Sequence, residues 1–162
     1  MFEWLGFEIE TKRDCTEQHI LSLMEDLSRR DHSQGDCFVC CVLSHGLEGT
    51  VYGVDGNQVR LRQLTEPFSG NHCPSLKEKP KLFFIQACQG IKEQPVVFIQ
   101  TNGPLPRSLS TDAGVPKNSI PADADFLLGM ATIPEYASFR DKKEGTWFIQ
   151  SLCENLQLLV PQ

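Results

Sequence analysis

Apolar residues form three runs of strand length, over residues 37–43, 81–87 and 125–132. Polar or glycine-containing segments bound each run. A continuous apolar run of this length is typical of a strand buried on both faces, as in a parallel sheet. We therefore predict three such strands, with functional groups at the points where they end.

Two longer segments have helical periodicity. Residues 16–29 begin with Thr16, a residue type suited to the N-cap, and residues 146–159 form the clearer helix. The apolar positions that share one face are Ile20, Leu23, Met24 and Leu27 in the first helix, and Ile149, Leu152, Cys153, Leu156 and Leu159 in the second.

A hairpin and a short helix are predicted between the first two strands. Asp55-Gly56 lies between the β-prone residues 50–52 and 57–59, which is typical of a hairpin turn, and residues 61–68 are assigned to the helix. Strands that alternate with helices indicate an α/β fold. We expect a three-layer sandwich in which helices flank a mainly parallel central sheet.

Residues 91–119 break the pattern, because glycine and proline recur and apolar periodicity is lost after Ile99. We predict a linker there. It divides the chain into a larger part, residues 1–90, and a smaller part, residues 120–162, which holds the third strand and the last helix.

Composition argues against several classes of partner. The formal net charge of −6 is unfavourable for binding nucleic acid or an anionic membrane surface. No apolar run approaches the roughly 20 residues of a membrane helix, and we expect no secretory leader. The seven cysteines cannot all pair within the chain, so we expect a reducing, cytoplasmic setting.

Cys88 and His45 follow the second and the first predicted strand. A cysteine becomes a strong nucleophile as the thiolate, which a neighbouring imidazole favours. Because the carboxyl ends of parallel strands meet at one edge of a sheet, we expect the two side chains to be adjacent. Taken alone, such a cysteine is more often a core thiol, and such a histidine is more often a structural hydrogen-bonding group.

Gly46 offers a separate element of the same chemistry. A glycine beside the histidine lets the backbone approach a substrate closely. We expect the N–H groups of Gly46 and Cys88 to bind the negative oxygen of a tetrahedral intermediate. The plainer alternative is that Gly46 is a turn glycine.

The pentapeptide Gln86-Ala87-Cys88-Gln89-Gly90, with Ser44-His45-Gly46 upstream, resembles the signature of the caspases, a family of cysteine peptidases. Residues 38–46, 125–132 and 145–153 are similar to further family segments, and residues 2–7 and 79–86 to initiator caspases that carry death-effector domains. The resemblance implies cleavage of proteins after aspartate during apoptotic signalling, through an acyl-enzyme on Cys88 with His45 as acid and base. It implies no cofactor and no metal.

The resemblance also assigns a substrate pocket. Gln86 and Arg140 match the residues that bind the aspartate carboxylate. Phe139 is expected to line the adjoining pocket, and Trp147 to form an apolar wall further out. Asp141 stands where several relatives carry asparagine, and its negative charge predicts an apolar residue at P4.

Residues 109–112, Leu-Ser-Thr-Asp, place an aspartate before a small residue in the predicted linker. We expect self-cleavage after Asp112 into a large and a small subunit. The resemblance further implies pairing with another caspase chain, and adaptor complexes if a death-effector domain precedes this region. Compared with the family, an upstream arginine of the pocket, the first strand and the last strand are missing, so we expect the chain to be truncated at both ends.

Other functions stay open at this point. A truncated chain with weak activity would act as a binding modulator of a full-length caspase, and a redox-sensing protein would use Cys88 as its reactive thiol. Cys37 and Cys40 have the spacing of zinc ligands. Zinc is disfavoured, because residues three apart in a strand point to opposite faces.

Overall fold

The computed structural model describes residues 1–92, 124–138, 140–141 and 145–160. In chain order the elements are α1 (Glu17–Ser28), β1 (Phe38–Leu43), β2 (Thr50–Tyr52), β3 (Gln58–Arg60), α2 (Leu61–Thr65), β4 (Lys81–Gln86), β5 (Phe126–Met130), β6 (Arg140–Asp141), β7 (Gly145–Thr146) and α3 (Trp147–Leu159). Two 3-10 turns, Glu66–Phe68 and Pro74–Leu76, lie between α2 and β4.

The central sheet has the strand order β1-β4-β5 and is parallel throughout its described part. Phe38 pairs with Lys81 and Leu43 with Gln86, so β1 and β4 start and end at the same level. The predicted α/β fold with a mainly parallel sheet is thereby confirmed. β4 occupies the centre, with a paired strand along each of its backbone edges.

Helices cover both faces of this sheet. On one face, Phe83 of β4 packs between Phe68 and Phe126, with ring centroids 5.8 and 5.9 Å away, and residues of α1 and α2 complete the apolar cluster. On the other face, a Cβ atom on Gly129 would lie 3.5 Å from Cζ of Phe148. The first turn of α3 therefore lies directly against β5.

The prediction that β1 and β5 are buried on both faces is wrong, whereas β4 is buried as predicted. Leu43 of β1 is 63% exposed, and Leu127 and Leu128 of β5 are 50% and 48% exposed. In the described part of the sheet β1 and β5 are edge strands, and only β4 has neighbours on both sides. Cys41 is likewise exposed rather than a buried small hydrophobe.

The other predicted elements are confirmed. α1 begins after Thr16, whose Oγ1 accepts a hydrogen bond from the His19 N–H at 3.3 Å. β2 and β3 form the antiparallel hairpin, and α2 with the following 3-10 turn fills residues 61–68. The stripe of α3 is only partly covered, because Leu159 is 74% exposed. The predicted linker lies outside the described residues apart from its first two positions.

An open groove of about 600 Å³ follows the outer edge of β1, with α1 and residues 7–15 contributing to its lining. On the inner edge, the Ser44 N–H donates to the Gln86 carbonyl at 3.0 Å. Backbone groups of a parallel strand point alternately to its two sides. The N–H groups of Val39, Cys41 and Leu43 therefore face the groove, unpaired within the described part of the chain.

The partly buried thiol of Cys40 predicts a dependence of stability on pH. Burial raises the pKa of Cys40 from about 9.0 to about 12. Above pH 9 the unfolded chain loses this proton while the folded chain keeps it, so the free energy of unfolding falls as pH rises towards 12. Between pH 8 and pH 10 we expect the free energy of unfolding to fall by about 1.4 kcal/mol more in the wild type than in Cys40→Val. Urea denaturation under reducing conditions measures this, and parallel pH dependences would contradict it.

Candidate active site

The ends of β1 and β4 bring two distant parts of the sequence together. The last paired positions of these strands lie two residues before His45 and two residues before Cys88. A Cβ atom on Gly46 would lie 2.9 Å from the Cys88 carbonyl oxygen and 3.2 Å from the Ala87 Cβ. The backbone after β1 therefore contacts the backbone around Cys88.

The main chain of His45 is held by the hairpin. Its carbonyl oxygen accepts a hydrogen bond from the Tyr52 N–H at 2.8 Å, and Ser44 Oγ donates to the Tyr52 carbonyl at 2.6 Å. The His45 side chain is exposed, and its ring makes no hydrogen bond to another described residue. A fixed backbone with an unrestrained ring lets the imidazole turn about its side-chain bonds towards Cys88.

Cys88 is half-buried, and its sulfur lies against Ser138 on the segment after β5. The Ser138 N–H donates to Cys88 Sγ at 3.5 Å, and Ser138 Oγ is 3.6 Å from the same sulfur. Ser138 is not among the site residues predicted from the sequence. Its one signal is its position two residues before Arg140.

Gln89 connects the two strand ends through its side chain. It is buried, with 2% of its surface exposed. Its Nε2 donates to the Cys88 carbonyl at 3.0 Å, while its Oε1 accepts from the Gly49 N–H at 2.9 Å. This bridge fixes the loop after β1 relative to the cysteine. The pentapeptide contained this residue, but nothing in the sequence indicated what its amide contacts.

Two backbone donors at the site have no hydrogen-bond acceptor among the described residues. The hydrogen bonds between described residues include none donated by the N–H of Gly46 or by the N–H of Cys88. Buried N–H groups are normally paired, so free ones beside a half-buried thiol are available to a ligand. These are the two groups that the sequence analysis assigned to a negative oxygen.

Gln86 ends β4 beside the cysteine and is buried, with 6% of its surface exposed. Its Nε2 donates to Ser138 Oγ at 3.0 Å. Its Oε1 is buried and accepts no hydrogen bond within the described part of the chain. An orphaned buried acceptor is costly, which marks this amide as a site for a further donor.

The remaining predicted pocket residues are placed less fully. Arg140 lies in β6, where its backbone pairs with Thr146 of β7. Trp147 begins α3 and is 65% exposed. Phe139 and Asp112 lie outside the described residues, and so does the side chain of Arg140. The structure thus brings together His45, Gly46, Gln86 and Cys88, with Ser138 and Gln89 added.

Two other kinds of feature, a metal-binding cluster and a membrane-spanning helix, do not occur among the described residues. No three or more histidine, cysteine or acidic side chains are grouped so as to hold a metal ion there. None of the helices described is both long enough and apolar enough to pass through a bilayer.

Comparison with known proteins agrees with this arrangement of strands and loops. The model of the family described as "Caspase domain" matches residues 1–158. Caspase-8 of Mus musculus is 48% identical over 166 residues, which cover 99% of this chain and 34% of the relative. Caspase-10 of Homo sapiens is 45% identical over 163 residues, covering 100% and 31%, and caspase-3 of Mus musculus is 44% identical over 161 residues, covering 97% and 53%.

The chain thus spans about a third of the length of the caspase-8 and caspase-10 relatives and about half that of caspase-3. The matched region includes the parallel strands and both loops that follow them. With a family match over nearly all of its residues, the chain belongs to the caspase domain family.

Proposed function

We propose that this chain forms the catalytic part of a cysteine endopeptidase that cleaves proteins after aspartate. The observation that carries the proposal is the pairing of β1 with β4, which ends two residues before His45 and two residues before Cys88. The free N–H groups of Gly46 and Cys88 at the same place support it. No other cluster of described residues combines a thiol, an imidazole and unpaired backbone donors.

The first half of the reaction forms an acyl-enzyme. The Cys88 thiol gives its proton to His45, and the resulting thiolate attacks the scissile carbonyl carbon while the carbonyl π electrons move to oxygen. The N–H groups of Gly46 and Cys88 donate to that negative oxygen; losing one such donor typically costs about 10²–10³ in rate. His45 gives a proton to the leaving amine as the carbon–nitrogen bond breaks, and a thioester remains on Cys88.

The second half releases the acid product. His45 takes a proton from a water molecule as the water oxygen attacks the thioester carbon. The same backbone donors bind the second negative oxygen. The carbon–sulfur bond then breaks, which restores the Cys88 thiolate and frees the new carboxyl group. The exposed ring of His45 has the freedom that these two proton transfers need.

Preference for aspartate follows from donors at the end of β4. The amide of Gln86 lies beside Cys88 and carries two N–H bonds, one of which is used by Ser138. Arg140, on the strand after Ser138, supplies a guanidinium group that suits a carboxylate. The family resemblance assigns Phe139, which lies outside the described residues, and Trp147 to the neighbouring apolar subsites.

A pair of peptides tests the proposed specificity. Leu-Ser-Thr-Asp and Leu-Ser-Thr-Asn, each with a fluorogenic amide leaving group, differ only in the P1 charge. We expect kcat/KM for the aspartyl peptide to be higher by about 10³-fold or more, because the neutral analogue leaves buried polar donors without their partner. Equal values for the two peptides would contradict the assignment of Gln86 and Arg140 to a carboxylate pocket.

The linker sequence fits the same specificity. We propose self-cleavage after Asp112, which would give a large and a small subunit that stay associated. Action in apoptotic signalling, on cytoplasmic proteins and as a dimer with another caspase chain, belongs to the same proposal. Its support is the family match together with the Leu-Ser-Thr-Asp sequence at residues 109–112.

A second candidate function is modulation of a longer caspase by binding to it. Apolar side chains on β5 and α3 favour it, since Leu128 is 48%, Leu158 79% and Leu159 74% exposed. An aspartyl chloromethylketone separates the two candidates, because only an assembled pocket directs the reagent to Cys88. Rapid labelling of Cys88 supports the peptidase. No labelling, with binding to a full-length caspase, supports the modulator.

A further inference from the structure

Ser138 lies between the side chains of Gln86 and Cys88, to which the proposed function gives the roles of carboxylate-binding residue and nucleophile. Its hydroxyl oxygen is 3.0 Å from Gln86 Nε2 and 3.6 Å from Cys88 Sγ. Its backbone N–H also points at the sulfur, at 3.5 Å. The three residues come from the end of β4 and from the segment after β5.

The hydrogen bond between Gln86 and Ser138 has a direction fixed by chemistry, whereas the one between Ser138 Oγ and Cys88 Sγ depends on whether the sulfur carries a proton. An amide nitrogen only donates, so Gln86 Nε2 gives its hydrogen to Ser138 Oγ. The protonated thiol donates to the Ser138 carbonyl oxygen, 4.0 Å away. The hydroxyl hydrogen of Ser138 is free to point away from Gln86, so the hydroxyl and the Ser138 N–H both donate to the sulfur once it is a thiolate, and Gln86 orients the hydroxyl. Donors in a chain polarise one another, which strengthens the last bond.

We propose that Ser138 is a positioning residue for Cys88, and that Gln86 acts on the reactivity of the thiol through the Ser138 hydroxyl. Two donors favour the thiolate over the thiol, because hydrogen bonds to an anion are stronger than those to a neutral group. In the peptidase proposed above, a substrate carboxylate that binds the Gln86 amide therefore also changes the reactivity of the Cys88 thiol. That last step rests on the proposed function; the coupling itself does not.

Ser138 is held in place by the backbone around it. The Ala137 N–H donates to the Lys92 carbonyl at 2.8 Å, and the Gln89 N–H donates to the Tyr136 carbonyl at 2.9 Å. The titratable groups of the described segments around the thiol are His45 after β1, Tyr136, and Lys92 with Glu135, which form an ion pair. None of these is altered by a substitution at residue 138 or 86.

Alkylation of the full chain by iodoacetamide tests the positioning role. The rate at Cys88 is read from its peptide by mass spectrometry between pH 5 and pH 10, with Cys15 as the internal reference. We expect Ser138→Ala to slow alkylation at pH 6.5 about tenfold, since one donor to the anion is lost. We expect the two rates to converge as the pH rises to 10, because the lost donor changes the fraction of thiolate and not the access of the reagent. Ser138→Thr keeps the hydroxyl and restores the wild-type profile.

A double-mutant cycle tests the coupling. Gln86→Met replaces the amide by a side chain of similar volume. In the wild-type background, we expect it to slow alkylation of Cys88 at pH 6.5 about threefold. The same change in a Ser138→Ala background is expected to have no effect, because the hydroxyl that transmits it is gone. Identical profiles for wild type and Ser138→Ala overturn the positioning role, and additive effects of the two changes overturn the coupling.

These results do not depend on peptidase activity. A small neutral reagent reaches the thiol without a substrate pocket, so the expected profiles hold for a chain that cleaves no peptide. Conversely, the preference for aspartate over asparagine can hold even if Ser138→Ala leaves the rate of Cys88 alkylation unchanged. Failure of the positioning role and failure of the proposed function are therefore seen in different measurements.

Discussion

Replacing Cys88 by alanine is expected to remove peptidase activity altogether, a loss of roughly 10⁶ in kcat, as is typical for a nucleophile that forms a covalent intermediate. His45→Ala should lower kcat by about 10²–10⁴, the usual contribution of a general acid and base. The sulfur bonds only to Ser138 among the described residues, and the His45 ring is exposed. Neither change should therefore lower the free energy of unfolding by more than about 1 kcal/mol.

Matched controls separate chemistry from general damage. Cys15→Ala removes another half-buried thiol, and His19→Ala removes another exposed imidazole, on α1. Both variants should keep kcat/KM for the aspartyl peptide within about twofold of the wild type, since surface changes away from the site are usually small. Cys88→Ala with more than one per cent of wild-type activity would show that another group forms the intermediate.

Gly90→Ala is expected to be the most damaging change outside the reacting residues. A Cβ atom there would overlap the main chain of Glu135. The methyl group would push residues 133–138 away from residues 89–92, although the Glu135 N–H donates to the Gln89 carbonyl at 2.7 Å. We expect a cost of about 1–3 kcal/mol in the free energy of unfolding and about a 10²-fold loss in kcat/KM, because Ser138 moves with this segment.

The control for this prediction is Gly35→Ala. A Cβ atom on Gly35 would meet backbone oxygens only at 3.6 and 4.0 Å, which is ordinary contact. Urea denaturation and peptide cleavage should then give nearly wild-type values for Gly35→Ala. Wild-type cleavage by Gly90→Ala would mean that the contact with Glu135 does not hold the site together.

The amino-acid sequence predicted the elements well because they depend on local patterns. Thr16 caps α1, and the Asp55-Gly56 turn lies between β2 and β3. Burial of the strands was predicted less well. An apolar run shows that a strand avoids water on average, but it does not show whether the strand is central or at an edge. For this reason β4 and β1 looked alike, although their exposure differs.

Buried polar contacts could not be predicted from the sequence, for a different reason. Lys81 is 1% exposed, and its Nζ donates to the carbonyls of Leu76 and Lys79 at 3.0 and 2.8 Å. Burial lowers the pKa of this ammonium group. A lysine at the start of a predicted strand gives no sign that loop carbonyls will surround it. The partners of Lys81 depend on the path of the loop before β4, and the pattern of apolar residues along the sequence does not specify that path.

The candidate site shows the same division. Family signatures pointed to His45 and Cys88, and the ends of β1 and β4 provide the adjacency that their pairing requires. Ser138 was missed because it lies 50 residues after Cys88 and in no motif of its own. The contact of Ser138 with Cys88 depends on the packing of Gly90 against Glu135, which joins residues that are distant in the sequence. The pocket roles of Gln86, Arg140, Phe139 and Trp147 all stay predictions.

The strand order has a consequence for motion. Cys88 follows β4, whose two backbone edges are both paired, whereas His45 follows β1, which is paired along one edge in the described part of the sheet. Segments with fewer backbone partners open locally at lower free energy. Fluctuations of the sulfur–imidazole distance should therefore come mainly from the histidine side. A substitution in β1 is then expected to change kcat by altering the local opening of that strand, although the substituted residue does not contact Cys88.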